Sequence, residues 1–178
     1  MSHSTITTVT EDTTAGGDTP QATTRQDTAT DPVTLALRYA ADPDAWPFAP
    51  TFDPDRRWYG RLHADEHHEA WLLTWLPGQG TELHDHGGAH GAFLVVTGDL
   101  TEEVVGPRDA PRLTELNWRQ GEVRGFGGHH VHRVVNTSDS PAVSLHVYRP
   151  GLTAMSQYAF DPGVGLRLLR TEREGADW

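Results

Sequence analysis

No cysteine and no lysine occur anywhere in this chain. Without thiols there can be no disulfide, no thiolate metal ligand and no cysteine nucleophile, a composition at home in a reducing cytoplasm. Long apolar runs are missing as well: nothing approaches the ~18 residues that a membrane span requires. The first residues show neither the basic nor the apolar region of a secretory signal. Positive charge is scarce. All 14 basic residues are arginine, 25 residues are acidic, and the formal net charge is −11. A domain with that balance and no arginine stripe is a poor partner for nucleic acid or an anionic membrane. The expectation is a soluble, cytoplasmic, monomeric protein that binds neither.

What is present fits one domain. A chain of 178 residues has room for one sizeable core but not comfortably for two. Residues 1–30 are rich in Thr, Asp, Gly and Gln with almost no large apolar side chains. Such a segment cannot bury enough surface to offset the entropy of ordering, so it reads as a disordered tail whose deletion leaves stability unchanged. Residues 31–178 then form the single domain. In "TDPVTLALRYAAD", Asp31 can cap a helix, Pro32 suits its first position, and Val33, Leu37 and Ala40 recur on one face. After this short helix the pattern changes. "AWLLTWLPG", "GAFLVVTGDL", "RLTELNW", "VHRVVN", "AVSLHVYRP" and "MSQYAF" are short runs with β-branched or aromatic residues, punctuated by Gly, Pro, Asn and Asp. Several short strands at fairly even spacing indicate an all-β sandwich or barrel.

The stretch "TELHDHGGAHGAFLVVTGDL" carries the chemistry. His84 and His86 stand two apart, so in a strand they share a face and Asp85 points the other way. A lone His-x-His pair is more often a surface or hydrogen-bonded pair than a metal site, and the surroundings decide. Gly78 opens a G-x5-H-x-H pattern that ends at Gly98, and Gly121, His132 and Asn136 form a second pattern, G-x10-H-x3-N. His63, His67, His68, His90, His129 and His130 are expected to face solvent or to stand behind the ligands. Farther on, "AVSLHVYRP" alternates cleanly, with Ser144, His146 and Tyr148 on one face and Val143, Leu145 and Val147 on the other. A polar row of that kind ordinarily meets solvent. A Ser, a His and a Tyr in register can also form a hydrogen-bond relay that fixes the imidazole tautomer. Asn136 ends the preceding strand close by, so a hairpin is expected to bring this row beside His132.

The two glycine–histidine patterns resemble the paired motifs of the cupin superfamily, small jelly-roll-like β-barrels that bind a metal in the barrel mouth. The resemblance implies His84, His86 and His132 as ligands, and Gly91 occupies the slot where many cupins place a glutamate ligand. That departure removes the only anionic ligand. It speaks against a manganese–oxalate type of site. "LHDH", the His four residues later, "HRVVN" and "SLHVY" together are similar, over about Trp58 to Phe160, to the bacterial cysteine dioxygenases within the thiol dioxygenase branch. In that family a Ser-x-His-x-Tyr row lies beside a three-histidine ferrous iron, so the resemblance implies Ser144, His146 and Tyr148 as the catalytic row and Fe(II) as cofactor. Mammalian members carry, at the position of Gly91, a cysteine cross-linked to the row's tyrosine. This chain has no cysteine, which leaves Tyr148 an ordinary phenol.

Substrate choice in the family follows the group that meets the carboxylate, an Arg in a Tyr-x-Arg arrangement for cysteine and a Gln for 3-mercaptopropionate. Here Tyr59-Gly60-Arg61 matches the former, which makes Arg61 the expected clamp, assisted by Tyr59, with Arg56 and Arg57 as rivals in the same segment. A planar guanidinium holds a carboxylate through two parallel hydrogen bonds, which Gln cannot do. The implied reaction adds both atoms of O2 to the sulfur of L-cysteine, giving cysteine sulfinate. Its alternatives are a 3-mercaptopropionate or other small-thiol dioxygenase, a non-catalytic metal-binding cupin sensor, and a zinc hydrolase. The sensor would bring a DNA-binding helical domain and the hydrolase a carboxylate base near the metal.

Overall fold

A computed structural model describes residues 31–107 and 111–173; the tail expected over residues 1–30 lies outside them. The architecture is all-β with one short helix. Helix α1 (Pro32–Ala41) starts as the sequence requires, with the Asp31 carboxylate accepting the Thr34 N–H at 3.1 Å and Pro32 in the first turn. Its buried face differs from the expected one. Leu35 and Ala36 are buried, with Val33, Tyr39 and Ala40 packed beside them, while Leu37 is 48% exposed. The helix is rotated so that Leu35 and Ala36, not Leu37, meet the sheet.

Eleven strands follow among the described residues: β1 (Tyr59–Ala64), β2 (Glu69–Trp75), β3 (Leu83–His84), β4 (His90–Thr97), β5 (Asp99–Val105), β6 (Leu113–Arg119), β7 (Val123–Phe126), β8 (His132–Val135), β9 (Ala142–Arg149), β10 (Ala154–Asp161) and β11 (Gly165–Arg173). They form a five-stranded sheet, ordered β1-β2-β9-β4-β7, and a six-stranded sheet, ordered β11-β10-β3-β8-β5-β6, with every pairing antiparallel. The run "GAFLVVTGDL" is therefore not one strand. It breaks at Gly98, whose φ of 76° is open to glycine at little cost, and β4 and β5 go to different sheets.

Period-two alternation places the five-stranded sheet between two apolar layers. Ala70, Leu72, Ala92, Leu94, Val143, Leu145 and Val147 pack on one side with Leu35 and Ala36 of α1. Trp75, Phe93, Val95, Leu100, Val134 and Ala142 pack between the sheets. Strand β9 is consequently buried on both faces, and its polar row meets the interior, not solvent. The expected β8–β9 hairpin does not form, because β8 and β9 belong to different sheets. Asn136 sits at the corner between them: its amide donates to Trp75 O and Ser140 O, and its Oδ1 accepts from Ser138. His132 and the β9 row thus meet across the space between the sheets. No helix among the described residues is long and apolar enough to cross a membrane.

Candidate metal centre and its pocket

His84 on β3 and His132 on β8 are register partners on adjacent strands, and His86 follows two residues after His84 on the same face. The three are buried, their ring centroids are 4.8–5.1 Å apart, and one donor nitrogen from each lies within 4.8 Å of the others. The far sides of two rings are already held. His84 Nδ1 donates to Glu82 O at 2.8 Å and His132 Nδ1 donates to Glu102 Oε1 at 2.7 Å, which leaves both Nε2 lone pairs directed inward. Neither ring nitrogen of His86 has a hydrogen-bond partner; the ring is sandwiched between Phe126 at 4.8 Å and Tyr148 at 5.0 Å. A buried imidazole with both nitrogens unsatisfied is costly unless something accepts its lone pair. Burial pushes His84 down to about 3 and holds His86 and His132 below the ordinary histidine value, so all three are neutral, as ligation requires. These residues fit a divalent metal bound by nitrogen alone.

Glu102 supplies a negative charge one residue behind the ligands. It is fully buried and accepts hydrogen bonds from His132, from His130 Nε2 at 2.7 Å and from Trp118 Nε1 at 3.0 Å, with the Arg124 guanidinium 3.4 Å away. Burial alone would raise its pKa, but the histidine hydrogen bonds outweigh burial and hold it well below the usual carboxylate range. Spacing gave no sign of Glu102, which reaches His132 from the neighbouring strand β5. His130 stands behind the ligands as expected, whereas His90 and His129 are exposed.

Space at the absent fourth ligand is closed. A Cβ on Gly91 would lie 2.5 Å from the Phe126 ring and 2.9 Å from Val147 O. Asp85 turns away, as alternation predicts: it accepts from Ser156 N, Gly87 N and the Tyr158 hydroxyl, the last at 2.6 Å. With Asp85 turned away and Glu102 engaged by His132, His130 and Trp118, neither of these carboxylates offers the base that a zinc hydrolase needs.

Ser144, His146 and Tyr148 line the same interior from β9. Trp75 Nε1 donates to Ser144 Oγ at 2.8 Å, Ser144 Oγ lies 2.8 Å from His146 Nε2, and His146 Nδ1 lies 3.3 Å from the Tyr148 hydroxyl. The indole can only donate, and the buried Ser144 hydroxyl has no acceptor but His146 among its hydrogen bonds. Its proton therefore goes to Nε2, and His146 Nδ1–H donates to the Tyr148 oxygen. The Tyr148 proton remains available to the pocket. Burial raises the Tyr148 pKa and lowers that of His146, so the row is a neutral phenol behind a neutral imidazole.

The pocket that His84, His132, His146 and Tyr148 face is lined also by Arg57, Tyr59, Trp71, Leu73, Trp75, Thr81, Val134, Leu152 and Met155. Of the expected carboxylate-binding pair, Tyr59 lines this pocket and Arg61 does not, whereas its rival Arg57 does. Arg57, Tyr59 and Arg61 share a parity, but depth separates them. Arg57 lies over the Trp75 ring at 4.9 Å, deep between the sheets, while Arg61 has reached the rim, where its exposed guanidinium covers Trp71 at 5.4 Å. Arg57 Nε is buried without a hydrogen bond, its nearest polar contact is a long 3.5 Å approach of Nη1 to Gly80 O, and no carboxylate among the described residues pairs with it. Burial lowers its pKa, with Tyr148 and Tyr59 opposing, yet a guanidinium stays charged.

Comparison with known proteins agrees with this geometry. The chain is 30% identical over 137 residues to human cysteine dioxygenase type 1 and 29% identical over 137 residues to the mouse protein, covering 71% of this chain and 66% of each relative. It thus spans just under two thirds of the length of these curated relatives. Among solved structures, TT1209 from Thermus thermophilus superposes with a TM-score of 0.51 at 24% identity, over 57% of this chain and 90% of that one; this likeness concerns the fold. The profile of the cysteine dioxygenase type I family matches residues 21–161, and the chain belongs to that family.

Proposed function

We propose that this protein is a non-haem iron thiol dioxygenase acting on L-cysteine, with both atoms of O2 delivered to the substrate sulfur. The observation that carries the substrate class is Arg57, a half-buried cation whose shielded Nε has no partner, in the same small pocket as His84, His132, His146 and Tyr148. A desolvated guanidinium left unpaired is costly, and a carboxylate entering beside it restores two charge-assisted hydrogen bonds. In this reading Arg57 takes the role that the sequence assigned to Arg61, with Tyr59 beside it.

His84, His86 and His132 would hold Fe(II), and bound iron supplies the redox chemistry that brings a thiolate and dioxygen to reaction. Three neutral imidazoles would not cancel the charge of a bound ion, which would favour the thiolate form of the substrate. Glu102 keeps the proton of His132 on Nδ1, so that Nε2 stays a donor. Arg57 fixes the far end of the substrate, which turns an encounter into a positioned pair. Trp71, Leu73, Leu152 and Met155 line the pocket with apolar surface and limit water. Tyr148, held through Nδ1 of His146, offers its hydroxyl proton toward the reacting atoms while Ser144 fixes the imidazole tautomer. The neutral phenol suits a hydrogen-bond donor and not a base.

Ferrous-loaded protein given L-cysteine is expected to consume one O2 for each cysteine sulfinate formed. Oxygen uptake without sulfinate would remove the dioxygenase reading. A higher kcat/KM for 3-mercaptopropionate than for L-cysteine would move the substrate to the neighbouring class and leave the chemistry standing.

A further inference from the structure

The turn between β1 and β2 assembles a second set of donors on the outside of the barrel, independent of the pocket. His63 is the penultimate residue of β1, and Asp65 and His68 lie in the turn itself. One potential donor atom from each of the three lies within 4.8 Å of the others. His63 Nε2 is 3.0 Å from Asp65 Oδ2 and His68 Nδ1 is 3.3 Å from Asp65 Oδ1. Metal–ligand bonds of ~2.0–2.1 Å meeting at a tetrahedral angle put neighbouring donor atoms about 3.3 Å apart, close to the two histidine–carboxylate separations here.

The turn is built without needing a cation. Asp65 Oδ1 accepts the backbone N–H groups of His67 and His68, both at 2.8 Å, and Asp65 N donates to His68 O at 3.1 Å. Held in this way, the carboxylate presents Oδ2 at no further ordering cost. The histidines are less comfortable. Their rings stack at 4.5 Å with an interplanar angle of 23°, an arrangement that two protonated imidazoles would resist. His63 Nε2 is shielded from solvent yet makes no hydrogen bond, since its approach to Asp65 is out of line. On the far side of His68, Nε2 meets the Tyr39 hydroxyl of α1 at 2.9 Å. If that nitrogen donates its proton to Tyr39, the Nδ1 lone pair is left facing Asp65.

We propose that this turn is a second divalent-cation site, with His63 Nε2, His68 Nδ1 and an Asp65 carboxylate oxygen as ligands, for a zinc-class ion completed by water. Two imidazoles and one carboxylate select borderline ions such as Zn²⁺, Co²⁺, Ni²⁺ or Cu²⁺ over Mg²⁺ or Ca²⁺. The neighbouring His63 ring and the backbone donors hold the Asp65 carboxyl below its usual range, and burial lowers His68; both directions favour the ligating forms. Arg149 acts on His68 as a nearby positive charge, which the Asp65 carboxylate offsets. A cation there would tie α1, through Tyr39 and His68, to the hairpin that carries Tyr59 and leads out from Arg57.

The test is equilibrium dialysis of the untagged, metal-stripped protein against Zn²⁺ at neutral pH. The wild-type chain is expected to bind two Zn²⁺, H63N/H68N one, H84A/H86A/H132A one, and the combined variant none. D65N should lose the second ion while its circular dichroism stays unchanged. An H63N/H68N chain that binds as many ions as the wild type overturns the proposal. Should the triple variant not fold, the comparison of wild type with H63N/H68N and D65N decides alone. H130N is the control for the other carboxylate–histidine group, at Glu102. If H130N loses the second ion and H63N/H68N keeps it, the ion sits at Glu102 and not at the turn.

Discussion

Arg57 and Arg61 stand four residues apart on one side of the same chain segment, and the difference between them is depth. Parity along an extended chain tells which residues share a face, and it leaves Arg57, Tyr59 and Arg61 together. It cannot tell how far along the strand the barrel wall ends. That is fixed by pairing, which sets Tyr59 against Leu73 and Arg61 against Trp71 at the rim. The cluster of His84, His86 and His132 was legible for the opposite reason: each is fixed by short-range spacing within one of two glycine-bounded motifs. Removing the guanidinium from a desolvated pocket costs on the order of 2–5 kcal/mol, or roughly 30- to several-thousand-fold in affinity. Arg57→Ala should therefore raise KM for L-cysteine steeply, whereas Arg61→Ala should leave it nearly unchanged. Cysteamine, which has no carboxylate, should be a poor substrate for wild type and nearly indifferent to Arg57→Ala. If Arg61→Ala is instead the damaging change, the functional register follows the motif and not the pocket.

At the scale of elements, the glycines of the two motifs were visible in the sequence but their work was not. Gly78, Gly98 and Gly121 all adopt positive φ, and Gly98 sends β4 and β5 into separate sheets. A one-dimensional pattern of apolar residues runs through such a corner without a break. The same blindness made β8 and β9 look like a hairpin, when their connection at Asn136 crosses from one sheet to the other. Gly91 is different, because its backbone is ordinary and only its space is taken. It sits on β4 opposite Phe126 of β7 and Tyr148 of β9, and the Phe126 ring fills the volume that a longer side chain would need. Gly91→Glu is therefore expected not to restore a fourth ligand but to overpack the site, at about 1–3 kcal/mol, seen as a fall in the urea midpoint. Combining it with Phe126→Ala should destabilise less than the two separate losses added together, since the new side chain enters the vacated space. Strict additivity would mean that Phe126 and residue 91 do not compete for that space.

The molecule as a whole is assembled around uncharged imidazoles. His84, His86, His132 and His146 lie between the two sheets, and burial depresses all four. In the unfolded chain each takes up a proton near pH 6.5, while His84 in the fold resists protonation to about 3. Between those values the unfolded state binds more protons, so the contribution to stability is complete above about pH 6.5 and is lost progressively on acidification, at up to roughly 1.4 kcal/mol per unit for each such group. The carboxylates with depressed values, Glu102 and Asp65, lose their contribution only below their own unfolded range near 4. A window from about pH 6.5 to 5 therefore isolates the histidines. Metal-free protein should show a urea midpoint that falls steadily through that window, and H146A, if it folds, should show a shallower slope. Loading a divalent metal should flatten the upper part of the curve, because ligation competes with the same protons for the same lone pairs. A midpoint indifferent to pH across the window would mean that these imidazoles are hydrated or paired in the folded protein, contrary to the burial that depresses them.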